Sequence, residues 1–114
     1  MIDRYQKSAR MSQAVVHAGT VYIAGKVAKN RKGSIQEQTL DVLDQIGALL
    51  REAGSDKSKL LAVSVFLPAI TDFEAMNEVY DAWIDKDNPP ARACVEARLA
   101  DPDLRVEMTA VAAV

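Results

Sequence analysis

With 114 residues, 49% of them apolar and 26% charged, the chain has the material for one domain with its own core and too little for two. A formal net charge of −2 gives no general attraction to nucleic acid or to an anionic membrane surface. One cysteine and one histidine exclude an intrachain disulfide and argue against a zinc site of the usual ligands.

No window of the sequence has the apolar length of a membrane span, and Met1 to Lys7 lack the apolar core of a signal peptide. The expectation is a cytoplasmic protein forming a single domain over residues 1–114. Asp3 to Ser8 is expected as a short edge strand, followed by apolar runs at Gln13 to His17 and Thr20 to Ala24. Ala18-Gly19 between those runs is a two-residue hairpin signal. Lys26 to Gly33 reads as a solvated basic loop. Ser34 and Glu37 then form a capping box that opens a helix. Its apolar stripe is Leu40, Leu43, Ile46, Gly47 and Leu50, widened by Val42, Leu49 and Ala53, and Gly54 ends it.

Leu60 to Leu67 is a strand closed by Pro68. Leu61, Val63, Val65 and Leu67 face one way; Leu60, Ala62, Ser64 and Phe66 face the other. Both faces are mostly apolar, so both need cover. Thr71 to Glu74 reads as a second capping box, opening a helix to about Asp85 with Phe73, Met76, Tyr80 and Trp83 on one side. Asp87 to Pro90 breaks that helix. Two helices cover one face of a sheet, and no element remains for the other. The expectation is therefore an oligomer packed through its sheets.

The last quarter alternates with period two. Arg92, Cys94, Glu96 and Arg98 share one face of the first segment, with Ala91, Ala93, Val95 and Ala97 opposite. In the second, Arg105, Glu107 and Thr109 oppose Leu104, Val106, Met108 and Ala110. The short connection predicts an antiparallel hairpin that puts Arg92 and Glu107 on one polar face, a surface for a small anion. The fold class is α+β: a mixed or antiparallel sheet with two helices on one face.

The chain resembles the Rid family, also called YjgF or RutC-like, over essentially its whole length. Met11 to Val15, Val21 to Gly25, Asp72 to Asn77, Pro90-Ala91-Arg92-Ala93 and Val106-Glu107-Met108 carry the resemblance. It implies a chorismate-mutase-like fold and a homotrimer with clefts between subunits. It also implies hydrolysis of enamines and imines such as 2-aminoacrylate to 2-oxo acids and ammonia, without metal or cofactor. On that resemblance Arg92 grips the substrate carboxylate and Glu107 orients or activates water, while Cys94, Asn77, Met11 and Ala24 fall at pocket positions. Many members have Tyr where this chain has Met11, Ser in place of Ala24, Gln in place of Lys26, and an acid in place of Thr109.

Some members carry ribonuclease or translation-inhibitor labels. The acidic balance, and the absence of a basic stripe interleaved with aromatics, argue against nucleic acid here. The competing reading is a module that binds a small carboxylate without turning it over. Cys94 reads as pocket lining rather than a nucleophile, since no His or Lys is poised beside it in the sequence pattern.

Overall fold

Residues 1–114 are all described by the structure, a computed structural model. The two residues at the first hairpin, Ala18 and Gly19, take φ of 51° and 79°. These left-handed values match the twist of the flanking strands, so β2 (Ala14–His17) folds directly back on β3 (Thr20–Val27). β1 (Ile2–Tyr5) pairs antiparallel with β2 and ends where Gln6 takes φ of 49°, short of the expected Ser8.

The capping box at Ser34 forms as predicted. Ser34 Oγ accepts from the Glu37 amide at 3.1 Å, and Glu37 Oε1 accepts from the Ser34 amide at 2.9 Å. It opens α1 (Ile35–Glu52), which ends at Gly54 with φ of 85°. Val42, Leu43, Ile46, Leu49 and Leu50 are buried, whereas Leu40 is 49% exposed. At roughly 100° per residue, Leu40 lies about 120° around the helix from Ile46, outside the stripe.

The second capping box does not form. A short 3-10 turn at Ile70–Asp72 leads into α2 (Phe73–Trp83), and no side chain caps it. The helix begins one residue later than the box requires, with Asp72 rather than Thr71 at the N-cap and Glu74 at the second helical position. The Asp72 carboxylate does not cap either, since both its oxygens accept from Arg105 Nη2 at 3.2 Å. The helix stops at Trp83, two residues before the expected end, where Lys57 Nζ donates to the Trp83 carbonyl at 2.7 Å.

β4 (Leu60–Leu67), β5 (Ala91–Glu96) and β6 (Glu107–Ala113) complete a mixed six-stranded sheet in the order β1-β2-β3-β6-β4-β5. The helices pack on one face of it, as the sequence predicts. The expected hairpin between the last two strands is absent. β5 runs parallel to β4, with α2 as the crossover that a parallel pair requires. The segment after Glu96 then carries the chain past β4, and β6 inserts antiparallel between β3 and β4.

The core lies between the helices and one sheet face. Val21, Ile23, Val63, Val65, Leu67, Met108, Ala110 and Ala112 meet Val42, Leu43, Ile46 and Leu50 of α1 and Met76 and Tyr80 of α2. Each large apolar side chain here contributes about 1.5–3 kcal/mol by leaving water. A bulge near Leu61 resets the phase of β4. Leu60 pairs with Ala112 and is buried, while Leu61 is 51% exposed, which reverses the expected placing of these two leucines. Beyond the bulge, Ala62, Ser64 and Phe66 face away from the helices, beside Val111, Thr109 and Glu107 of β6 and Ala91, Ala93 and Val95 of β5. No element of the chain covers this face.

Candidate functional site

Arg92 lies on β5 opposite Val63, a core residue, so its side chain leaves the sheet on the helix side. It emerges at the edge of the sheet against α2, and one face of that helix receives it. Nη1 donates to Asn77 Oδ1 at 2.7 Å. The guanidinium carbon lies 4.6 Å from the centre of the Tyr80 ring and 5.9 Å from that of Phe73. Phe73, Asn77 and Tyr80 stand at i, i+4 and i+7, the spacing that aligns side chains on a helix. The ion pairs of the chain are Arg31–Asp101, Lys32–Asp103 and Arg105–Asp72, so Arg92 has no carboxylate partner. An exposed guanidinium held by an amide and two aromatic rings keeps its charge for an incoming anion.

Cys94 follows Arg92 on the same side and packs against the core. Burial pushes its thiol above the ordinary range, and the neighbouring Arg92 charge opposes this only in part. A thiol so placed is protonated at neutral pH and a poor nucleophile.

Glu107 is on the other side of the sheet. It pairs with Val27 and Phe66 and shares the uncovered face with Thr109. The expectation that Arg92 and Glu107 share a face is therefore overturned within one chain. It assumed that their strands are neighbours, and β4 lies between them. Their Cα atoms are separated by about 10 Å along the strands and about 10 Å across them, with the sheet between the side chains.

What shapes the Glu107 site is a β-bulge. Between Ile23 and Lys26, β3 has one residue more than β6 opposite it. Gly25 sits in that bulge, and a Cβ built on it would come within 2.2 Å of Glu107 Oε2. The carboxylate thus occupies the space that any other residue would fill. No ion pair reaches it. Ala24, beside Gly25, donates its amide to the Gln13 carbonyl at 3.0 Å. Met11 is held in the preceding loop, where its amide donates to Ser8 Oγ at 3.2 Å and its side chain is exposed.

The structure thus brings Arg92, Asn77 and Cys94 together on one side, sets Glu107 beside the Ala24-Gly25 bulge on the other, and leaves Met11 in a loop. The sequence reading gives Tyr80 and Phe73 only as members of one side of the second helix and gives Gly25 no role. The signal for the aromatics was present in their helical spacing from Asn77. The signal for Gly25 was not, because the bulge depends on pairing with a distant strand.

A cleft of about 480 Å³ lies away from both groups, lined by Gln13, Lys26, Lys29, Asp41, Gln45 and Glu52 among others. Lys26 is part of β3 rather than the solvated loop expected. Burial, and secondarily the nearby Lys29 charge, lower its pKa, and Nζ donates to Gln13 Oε1. Charges of both signs line this cleft without converging on one ligand chemistry. The Arg92 and Glu107 sites are the better candidates because each presents one uncompensated charge.

Comparison with known proteins gives a consistent result. A sequence model of the family described as endoribonuclease L-PSP matches residues 1–114. A RutC family protein, YoaB of Escherichia coli K12, is 42% identical over 113 residues, covering 99% of this chain and 98% of the relative. A RutC family protein of Haemophilus influenzae is 40% identical over 112 residues, 97% of each chain. A crystal structure of a YjgF family member from Neisseria meningitidis superposes with a TM-score of 0.96 at 42% identity, covering 99% of this chain and 94% of the other.

Proposed function

Since the chain belongs to the endoribonuclease L-PSP family, that of the RutC and YjgF (Rid) proteins, we propose that it hydrolyses small imines and enamines of 2-amino acids to 2-oxo acids and ammonia. The reaction takes place in clefts where copies of the chain meet, without metal or cofactor. The observation that carries this reading is the pair of uncompensated charges on opposite faces of one sheet: Arg92 held by neutral partners, and Glu107 without an ion pair. Within one chain they cannot touch one small molecule. Across a contact between copies, one copy's Arg92 and another's Glu107 can.

The uncovered sheet face supports such an assembly. Tyr22, Leu61 and Val95 are each about half exposed on a chain with no element to cover them. A homotrimer is expected, with a mass in solution about three times the 12.4 kDa of one chain.

In the proposed reaction Arg92 pairs with both oxygens of the substrate carboxylate and fixes the adjacent imine carbon. An enamine such as 2-aminoacrylate first gains a proton on carbon and loses one from nitrogen to become the imine. Glu107 accepts a proton from water as the water oxygen bonds to the imine carbon and passes it to the nitrogen, giving a carbinolamine. It then takes the hydroxyl proton and delivers it to the amino group as the C–N bond breaks and ammonia leaves. The carbon keeps its oxygen as the carbonyl of the 2-oxo acid.

The test couples the protein to an amino acid oxidase and traps the released imine as its semicarbazone. Catalytic amounts of protein are expected to suppress trapping, and Arg92→Ala to abolish that effect. Equal trapping with and without the protein would refute the enzymatic reading. Met11 and Ala24, which replace hydroxyl-bearing residues common in the family, favour a second reading: a module that binds 2-oxo acids without turnover. Saturable binding of pyruvate in calorimetry, with no suppression of trapping, would select it. Nucleic-acid cleavage, suggested by the family's name, has only the Lys29 to Lys32 loop to support it. Cleavage of RNA that survives Arg92→Ala would place activity elsewhere on the molecule.

A further inference from the structure

We infer that Tyr80, backed by Phe73, is a positioning residue that aims the Arg92 guanidinium at its anionic ligand. This rests on the reading that Arg92 receives a carboxylate, and extends it to a residue outside the substrate pocket.

Arg92 projects from an edge strand into an exposed setting, where a free arginine side chain samples many rotamers. Two kinds of contact restrict it. Asn77 takes one N–H, leaving the other donors of the fork free. The Tyr80 ring, 4.6 Å from the guanidinium carbon, gives the cation a π face to rest on. Tyr80 is only 6% exposed, so its ring is fixed by the core and cannot follow a moving guanidinium. Phe73 borders the same cation at 5.9 Å.

The contrast with Arg105 shows why the platform is aromatic. Arg105 is held by Asp72, which compensates its charge. A carboxylate under Arg92 would fix it equally well but would compete with an anionic ligand. Rings and an amide restrain the side chain while leaving its charge available.

The test uses the full chain with Tyr80→Phe, Tyr80→Leu and Arg92→Gln, and 2-oxobutyrate as the probe. Tyr80→Phe keeps the ring and is expected to bind within about twofold of wild type. Tyr80→Leu keeps apolar bulk but loses the π face, and is expected to bind between about twofold and thirtyfold more weakly. In the imine-trapping assay the loss should fall on KM more than on kcat, a split that general destabilisation would not produce. Unchanged binding by Tyr80→Leu, or equal weakening by Tyr80→Phe, overturns the proposal.

A second readout needs no ligand and covers the case in which Tyr80→Leu fails to fold. Burial raises the Tyr80 phenol's pKa while the Arg92 charge holds it down. Arg92→Gln should therefore move Tyr80 ionisation to higher pH in an ultraviolet titration referenced to Tyr80→Phe. An unmoved titration means that the guanidinium does not rest on this ring and overturns the inference. Wild-type protein that binds no 2-oxobutyrate, yet shows the titration shift, overturns the carboxylate reading of the site and leaves the platform standing.

Discussion

Replacing Gly25 by alanine should separate activity from stability. The added Cβ would lie 2.2 Å from Glu107 Oε2 and 3.2 Å from the carboxyl carbon, so the carboxylate must leave its present position. The obstacle is the far end of a flexible side chain, and Gly25 does not use the left-handed backbone that would bar alanine. Displacing Glu107 into solvent is cheap, and alanine in place of glycine restricts the unfolded chain by about 0.4–1 kcal/mol. The two effects offset, leaving a net change within about 1 kcal/mol, or about 4 °C in Tm for a domain of this size. The catalytic consequence is much larger. If Glu107 moves protons between water and the leaving nitrogen, its displacement should lower kcat by about 10²–10⁴-fold. Thermal denaturation and the imine-trapping assay on Gly25→Ala, with Glu107→Gln alongside, measure both quantities. Wild-type activity in Gly25→Ala, with Glu107→Gln inactive, would show that the carboxylate does not work from its place over Gly25. Full activity in both would remove Glu107 from the mechanism.

Arg92→Lys keeps the charge but loses the planar fork and its fit to Asn77 and the Tyr80 ring. Affinity for pyruvate in calorimetry should fall about 10- to 100-fold, since a hydrogen bond to a charged group is worth about 1.5–3 kcal/mol. Ser34→Ala removes the cap of α1 and should cost about 1 kcal/mol, read as a drop of about 4 °C in Tm. The Glu37 carboxyl of that box is held below its ordinary value of 4.5, first by the Ser34 amide and then by its hydroxyl. A depressed carboxyl stabilises above its unfolded pKa and ceases to do so as pH falls through the folded one. The stability difference between wild type and Glu37→Gln should therefore be present at neutral pH and fade on acidification below about pH 4.5. Alkylation of Cys94 by iodoacetamide at neutral pH should be slower than that of a free thiol. Arg92→Ala should slow it further, because the arginine charge is what holds the raised pKa down.

The sequence by itself determined the elements whose causes are local. The Ser34 capping box, the glycine after α1, the mirror-image turn at Ala18-Gly19 and the period-two burial of Val106, Met108 and Ala110 all follow from residues a few positions apart. Motifs of the same local kind marked the family, together with Arg92 and Glu107 as charged residues on strands. The sequence misread what depends on distant partners. Thr71 and Glu74 look like a capping box until the turn at Ile70–Asp72 moves the N-cap to Asp72, whose carboxylate Arg105, far along the chain, claims. The last two strands look like a hairpin until α2 carries β5 into parallel pairing with β4 and β6 enters between β3 and β4. Period-two alternation tells which residues of one strand share a face, but not how that face is oriented relative to another strand's. Only pairing register fixes that relation, and here it sends the guanidinium and the carboxylate to opposite sides of the sheet. The bulge at Ala24-Gly25 and the ring beneath Arg92 have the same origin, since each exists only once separate segments have packed together.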